Sequence, residues 1–480
     1  MKQPQLTDTL FDDFLQELPA DFQEQAYELQ AFARARKIRS PLQLLQLVLL
    51  YCGLDLSLRS CAGEVAKLQG CLSDTAVTKR LVACVVWIKS LLKRVFGLDK
   101  QINNGSLNFI VIDGSTVQEP GAKETTYRLH VAIDLLSLTL REVNVTTDKV
   151  GESLDHYQLA AGDVAVVDRG YNQPKSLVPV IDRGGHVVLR YNPHSMTLYE
   201  RRNEPKNVKI DWEQRIRDLN GQPGAIPVYL CHQDKRIEGV VHAMPLPPEQ
   251  AAQARRKAKQ RARDKGRTAS QKTLMLSGWV LIFTSLPESL LDTKSIAELY
   301  RVRWQVELVI KRLKSLLDID RLRARKDSKL ADLYLHGKLL FAAVTQKIAQ
   351  RRFGRAATTM DGDRSITHWR LWRTIANEIK AGLTACFPKN ERFIDDCIKS
   401  LCERPRKRKL QGLPDRVLEL ITECRDLGVS LFNQLLRCLS WRLWCIPLPI
   451  RTRESNFASL VAGCTFRPEG RGLKPVRNID

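Results

Sequence analysis

Between residues 107 and 190 the apolar positions fall into short, β-branched runs, LNFIVID, TYRLHVAID, TLREVNVT, DVAVVD and HVVLR, separated by turn residues. They predict three successive strands, a helix near 152–161, a fourth strand, the helix PKSLVPVIDR and a fifth strand. Upstream the period changes to that of helices. Ser40 and Pro41 read as an N-cap and first helical residue of a helix reaching about Tyr51. The stretch from Leu56 to Phe96 then reads as a helix, a turn at Gly70, a cap at Ser73 or Asp74, and one longer amphipathic helix exposing Thr75, Thr78, Lys79 and Arg80. This is a candidate helical DNA-binding module, with a plain packing bundle as the alternative. Between residue 190 and Asp292 the strand-like pieces IPVYLCH, RIEGVVHAM and GWVLIFT, with turns at Asn192-Pro193, Asn220-Gly221 and Pro223-Gly224, indicate an inserted β domain. From about 328 to 445 the chain reads as helical, and its tail has no periodicity.

One helical segment is polar where it should carry chemistry. At about 100° per residue, Tyr300, Arg303, Glu307 and Lys314 share a roughly 60° arc, beside an apolar stripe that includes Val302, Val306, Val309, Ile310 and Leu313. Asp113 closes FIVID and Asp168 closes VAVVD, each at a strand-to-turn junction. Three carboxylates from two strand ends and one helix suit a pair of Mg²⁺ ions gripping a phosphodiester, because Mg²⁺ takes hard oxygen ligands and keeps positions open for substrate and water. Taken singly, each aspartate reads as a turn residue or cap. His130 reads as a core or edge histidine, and Asp148 and Glu152, in TTDKVGES, as caps of the following helix.

Tyr300, Arg303, Glu307 and Lys314, with intervals of two, three and six residues, resemble the YREK signature of bacterial insertion-sequence DDE transposases, in the family named after insertion sequence four. Asp113 and Asp168 fit its two Asp motifs. The likeness is continuous over about 105–325, weaker over 40–100 and faint beyond 330. It implies an α/β fold, with a ribonuclease-H-like mixed-sheet core interrupted by a β-rich insertion and flanked by helical domains. On this reading 1–100 is an N-terminal helical DNA-binding region, 101–190 the first part of the core, 191–290 the insertion, 291–330 the catalytic helix, 331–450 a C-terminal helical region and 451–480 a flexible tail. The resemblance further implies Mg²⁺-dependent cleavage of transposon ends and strand transfer, by two ions on Asp113, Asp168 and Glu307, with Mn²⁺ able to substitute. Tyr300, Arg303 and Lys314 would contact phosphates, and the partners would be terminal inverted repeats, target DNA and a second copy of the chain. Trp279 stands where hairpin-forming relatives place a base-stacking Trp, and Trp304 adjoins Arg303. An inactive, domesticated DNA-binding relative, or a ribonuclease-H-like nuclease without strand transfer, remain the competing readings.

Composition narrows the picture. Lys and Arg outnumber Asp and Glu by 76 to 53, a net charge of +23 that attracts phosphate backbones. Eight basic residues crowd Arg255–Arg267, among them Arg255, Arg256, Lys257, Lys259, Arg261 and Arg263, against the single Asp264; they suggest a DNA-phosphate arm, or else a solvated helix. A second basic patch is Arg404, Arg406, Lys407, Arg408 and Lys409. The Trp-rich segments THWRLWRT and LSWRLWC suit packing anchors as well as nucleic-acid contacts. Twelve scattered cysteines form no CxxC, which favours free thiols over zinc or disulfides. With no apolar run of about 20 residues and no signal-peptide pattern, the expected location is cytoplasmic, on the nucleoid.

Overall fold

The computed structural model describes residues 10–69, 73–97, 107–119, 121–122, 124–201, 207–353, 360–361, 364–383, 402–403 and 416–419. The turn at Gly70, the basic patch at 404–409, the LSWRLWC segment and the tail fall outside them. The chain divides into two compact units, of which the second covers Arg190–Arg301.

The first unit opens with helices α1 (Leu10–Gln16), α2 (Phe22–Glu28), α3 (Pro41–Cys52), α4 (Leu58–Gln69), α5 (Asp74–Ala83) and α6 (Val85–Val95). The Ser40 hydroxyl accepts the Gln43 N–H at 3.2 Å, and the Ser73 hydroxyl accepts that of Ala76, so both helices start at side-chain caps. The single long helix expected after Ser73 is instead two, parted at Cys84, whose Sγ donates back to the Arg80 carbonyl. On α5, Thr75 and Lys79 are exposed, whereas the Thr78 hydroxyl is bonded to the Asp74 carbonyl and Arg80 to the Arg34 carbonyl.

The core sheet runs β1 (Asn108–Val117), β2 (Tyr127–Asp134), β3 (Thr139–Thr147), β4 (Asp163–Val167) and, after α7 (Pro174–Asp182), β5 (His186–Arg190). Its spatial order is β3-β2-β1-β4-β5, with β1, β2 and β3 antiparallel and β4 and β5 parallel to β1. This is the ribonuclease-H-like arrangement. All five residues of β4 are buried, as expected for a central parallel strand covered on both faces. Bidentate bonds of 3.2 and 2.7 Å from Arg141 on β3 satisfy the buried Asp163 carboxylate at the head of β4. In place of the helix expected at 152–161 there is only a short 3₁₀ turn, Leu154–His156. Its cap is Ser153, not Asp148 or Glu152; Asp148 pairs with Lys326 at 3.1 Å. His130 is fully buried and bonded to the Thr146 hydroxyl at 2.7 Å.

The second unit holds β6 (Leu198–Glu200), α8 (Trp212–Asp218), β7 (Gly224–His232), β8 (Lys235–Pro245), α9 (Pro248–Arg263), α10 (Gln271–Leu276), β9 (Trp279–Thr284) and α11 (Thr293–Arg301). Strands β6 to β9 pair antiparallel in sequence order. Helix α9 sets Ala251, Ala254, Ala258 and Ala262 on its less exposed side, while every Arg and Lys from Arg255 to Arg263 is exposed.

The first unit resumes with α12 (Gln305–Leu317), α13 (Lys329–Phe353) and α14 (His368–Leu383). Helix α13 crosses α3 so closely that a Cβ on Gly337 would lie 2.5 Å from the Cys52 sulfur. The buried Lys338 donates to the Leu317 carbonyl, at the C-terminus of α12, and to Asp55 at 3.0 Å. Where helix was expected throughout, β10 (Met360–Asp361), β11 (Arg364–Ile366) and β12 (Cys402–Glu403) pair as a small antiparallel sheet. Trp372 in α14 is buried. Cys52, Cys61, Cys84 and Cys231 are free thiols.

Candidate active site

The β-branched run Phe109–Ile112 brings Asp113 into β1, and the register sets its place. Val111 lies opposite Val166, so the same offset puts Asp113 level with Asp168 on neighbouring parallel strands, whose spacing is about 5 Å. Asp168 follows the last residue of β4, as its sequence suggests. Asp113 does not end its strand: β1 continues to Val117, paired with β2 alone, because β4 stops at Val167.

Glu307 arrives on α12. The helical segment carrying the four-residue signature is not one continuous helix, since α11 ends at Arg301 and Val302–Trp304 tighten into a 3₁₀ turn. That turn carries Arg303, whose side chain is only 3% exposed. One guanidinium nitrogen donates to Asp113 at 3.1 Å and another to Glu307 at 2.6 Å. Arg303 therefore bridges two of the three acids in this structure. Tyr300 is buried on α11; Lys314, Trp304 and Trp279 are partly exposed.

Burial pushes the Asp113 carboxyl up to about 6. The Arg303 guanidinium and the Gly114 N–H, which donates to Asp113 at 2.8 Å, pull it down; the Glu307 and Glu152 charges push it up. A fourth carboxylate is thus part of this environment. Glu152 is partly buried, and its acidity is weakened by burial and Asp168 and strengthened by Arg128 and Arg303. Its sequence setting suggests a helix cap; the structure instead lays its carboxylate against Gly114 and Gly170, the residues that follow Asp113 and Arg169. The clue in the sequence is Gly114 directly after Asp113 and Gly170 two residues after Asp168.

Among the described residues no three His, Cys, Asp or Glu side chains are gathered closely enough to hold a metal ion as they stand. The donor set still fits a hard divalent cation: every acid offers carboxylate oxygen, and a positive charge already sits between Asp113 and Glu307. The basic side chains of α9 form no ion pair with a described residue and are all exposed. No described helix is long and apolar enough to cross a membrane.

Known proteins share this constellation's sequence context. The family model for the transposase DDE domain matches residues 104–335. A putative transposase InsL for insertion sequence element IS186A, from Escherichia coli (strain K12), is 29% identical over 346 residues, 69% of this chain and 91% of that one. The transposase for insertion sequence element IS421, also from Escherichia coli, is 28% identical over 343 residues with the same coverage of 69% and 91%. The transposase for IS231F of Bacillus thuringiensis subsp. israelensis is 27% identical over 196 residues, 38% of this chain and 40% of that one. Among solved structures, a piggyBac transposase synaptic complex with hairpin DNA aligns with 85% of this chain and 87% of its own at 10% identity, with a TM-score of 0.38, too low to bear on the fold. Over residues 104–335 the chain carries a transposase DDE domain, of a family that generally uses divalent metal ions, and with these relatives it supports a bacterial insertion-sequence DDE transposase, an enzyme acting on DNA.

Proposed function

We propose that this transposase cuts DNA at the ends of its own mobile element and joins the freed ends to target DNA, with Asp113, Asp168 and Glu307 as its catalytic acids and Mg²⁺ as its metal, Mn²⁺ substituting. The observation that carries this reading is the meeting of distant acids: Asp113 is level with Asp168, and Arg303 ties the helix of Glu307 to Asp113 across 190 residues of sequence. Carboxylates brought close together repel unless a cation lies among them, so the cluster is understandable as a cation site. When bound there, divalent ions supply a lower pKa for the attacking water or 3′-hydroxyl and neutralise the departing oxygen.

The chain's own groups position the DNA. Arg303 would exchange its carboxylates for a phosphate, offering paired N–H donors. Lys314, on the same helix, would meet the backbone as a point charge. Tyr300 and Trp304 would line the same strand, and Trp279 would stack on a base lifted from the helix. Arg255, Arg256, Lys257, Lys259, Arg261 and Arg263 on α9 would hold DNA through phosphates, largely without sequence preference. A second copy of the chain would bring the two ends together.

The test uses the inverted repeats flanking the gene as substrate. Asp113→Asn, Asp168→Asn and Glu307→Gln should each abolish Mg²⁺-dependent cleavage while DNA affinity stays near that of the native protein, because affinity rests on phosphate contacts elsewhere. Near-native cutting by any one variant removes that residue from the set.

A further inference from the structure

A short loop after β3 delivers Glu152 to the cutting site from a direction that none of the other three acids uses. Two glycines make room for it. An added Cβ at Gly170 would lie 1.9 Å from Glu152 Oε2, and one at Gly114 would lie 3.0 Å from Oε1. Neither glycine has a positive φ, so backbone strain does not explain them; the space for this carboxylate does. The carboxylate lies where β4 stops beside the continuing β1, against the glycines that follow Asp113 and Arg169. Its neighbours Arg128 and Arg303 act on it as charges, yet it accepts no hydrogen bond from a described residue. A partly buried carboxylate left without a donor is costly, and a cation would relieve that cost.

We propose that Glu152 is a fourth acid of the divalent-cation site, held between β1 at Gly114 and the turn after β4 by the absence of side chains at Gly114 and Gly170. This rests on the assignment of Asp113, Asp168 and Glu307 above and extends it. The three acids come from β1, the end of β4 and α12, and Glu152 closes the side facing the β3–β4 connection. From there it either touches the ion directly or fixes the water and acids that do, an outer role whose loss weakens metal binding by roughly 10- to 100-fold.

Direct Mn²⁺ titration of the full-length chain, read by electron paramagnetic resonance, tests this without reference to cleavage. Two variants act on Glu152 differently. Glu152→Gln removes its charge. Gly170→Ala keeps the charge but must push the carboxylate aside; the obstructing atom is the end of a flexible side chain, so the fold can adjust. Both should bind Mn²⁺ about tenfold or more weakly than the native chain, with unchanged circular dichroism and melting. Should Glu152→Gln fail to fold, Gly170→Ala decides alone. Native-like titrations in the folded variants, while Asp113→Asn is impaired, would overturn the role of Glu152 and leave the three acids standing. Titrations that neither Asp113→Asn nor Asp168→Asn disturbs would overturn both assignments.

Discussion

Lys338 offers the most direct measure of what holds α12, the helix of Glu307, in place. Its side chain is 1% exposed; the ammonium donates to the Leu317 carbonyl, lies 3.0 Å from Asp55 and sits 4.6 Å above the Tyr334 ring. Burial lowers its pKa, while the Asp55 charge raises it again. Lys338→Met keeps the bulk but strands two acceptors, the last-turn carbonyl of α12 and the Asp55 carboxylate. Breaking one side of a buried pair costs about 3–5 kcal/mol. Asp55 retains Arg323 at 3.6 Å and the Tyr334 hydroxyl, which sets the cost near the lower end, about 3 kcal/mol. If that loss is borne by local opening around Leu317, amide exchange along α12 should accelerate by roughly two orders of magnitude, at 1.4 kcal/mol per tenfold. Hydrogen exchange read by mass spectrometry over Gln305–Leu317 and Pro41–Cys52 measures this segment by segment. Lys338→Met combined with Asp55→Asn should restore much of the protection, since neither charge is then stranded. Exchange within twofold of the native protein in the single variant would show that the ammonium carries no such load, and the reasoning would fail.

Two further outcomes follow from other parts of the chain. Replacing Lys257, Lys259, Arg261 and Arg263 with Gln should flatten the dependence of DNA affinity on salt, by roughly 0.9 in the log–log slope for each phosphate that the helix no longer neutralises; an unchanged slope in anisotropy titrations would reduce α9 to a solvated helix. His242 is fully buried, bonded to the Thr293 hydroxyl at 2.9 Å, and lowered by burial from 6.5 to about 4. The folded protein keeps it neutral where the unfolded chain protonates it, so its contribution is whole above pH 6.5 and is lost as pH falls toward 4. Between pH 7 and pH 5 this one residue should cost about 2 kcal/mol in urea unfolding, and His242→Gln should lose less than the native chain over the same interval.

The strands were legible because β-branched runs such as FIVID and VAVVD signal buried strands wherever they occur, and the positions of the two aspartates along those strands, though not their role, were legible with them. Their level alignment was not, since register is set by partners more than fifty residues away. The Arg303–Glu307 contact follows from four-residue spacing across the 3₁₀ turn and the first turn of α12, but its extension to Asp113 depends on how α12 lands on β1. Glu152 was misread because Thr, Asp and Glu in TTDKVGES imitate a helix start, and Ser153 took that task instead. The break at Cys84 carries no Gly or Pro to announce it.

The distance along the chain between the parts of the site also governs when the enzyme comes into being. Asp113 leaves the ribosome 190 residues ahead of Arg303, an interval of about 10–40 s at ordinary bacterial rates of synthesis. Glu152 and then Asp168 follow Asp113 within 55 residues, and all three precede the arginine that bridges to Glu307, and Glu307 itself. A nascent chain can fold its first strands and present its N-terminal helices, yet it holds no complete set of acids. On the proposed assignment, catalytic competence therefore arrives late, after Arg190–Arg301 has been made, and a chain truncated before α12 is expected to be inert as a nuclease however well its sheet has formed.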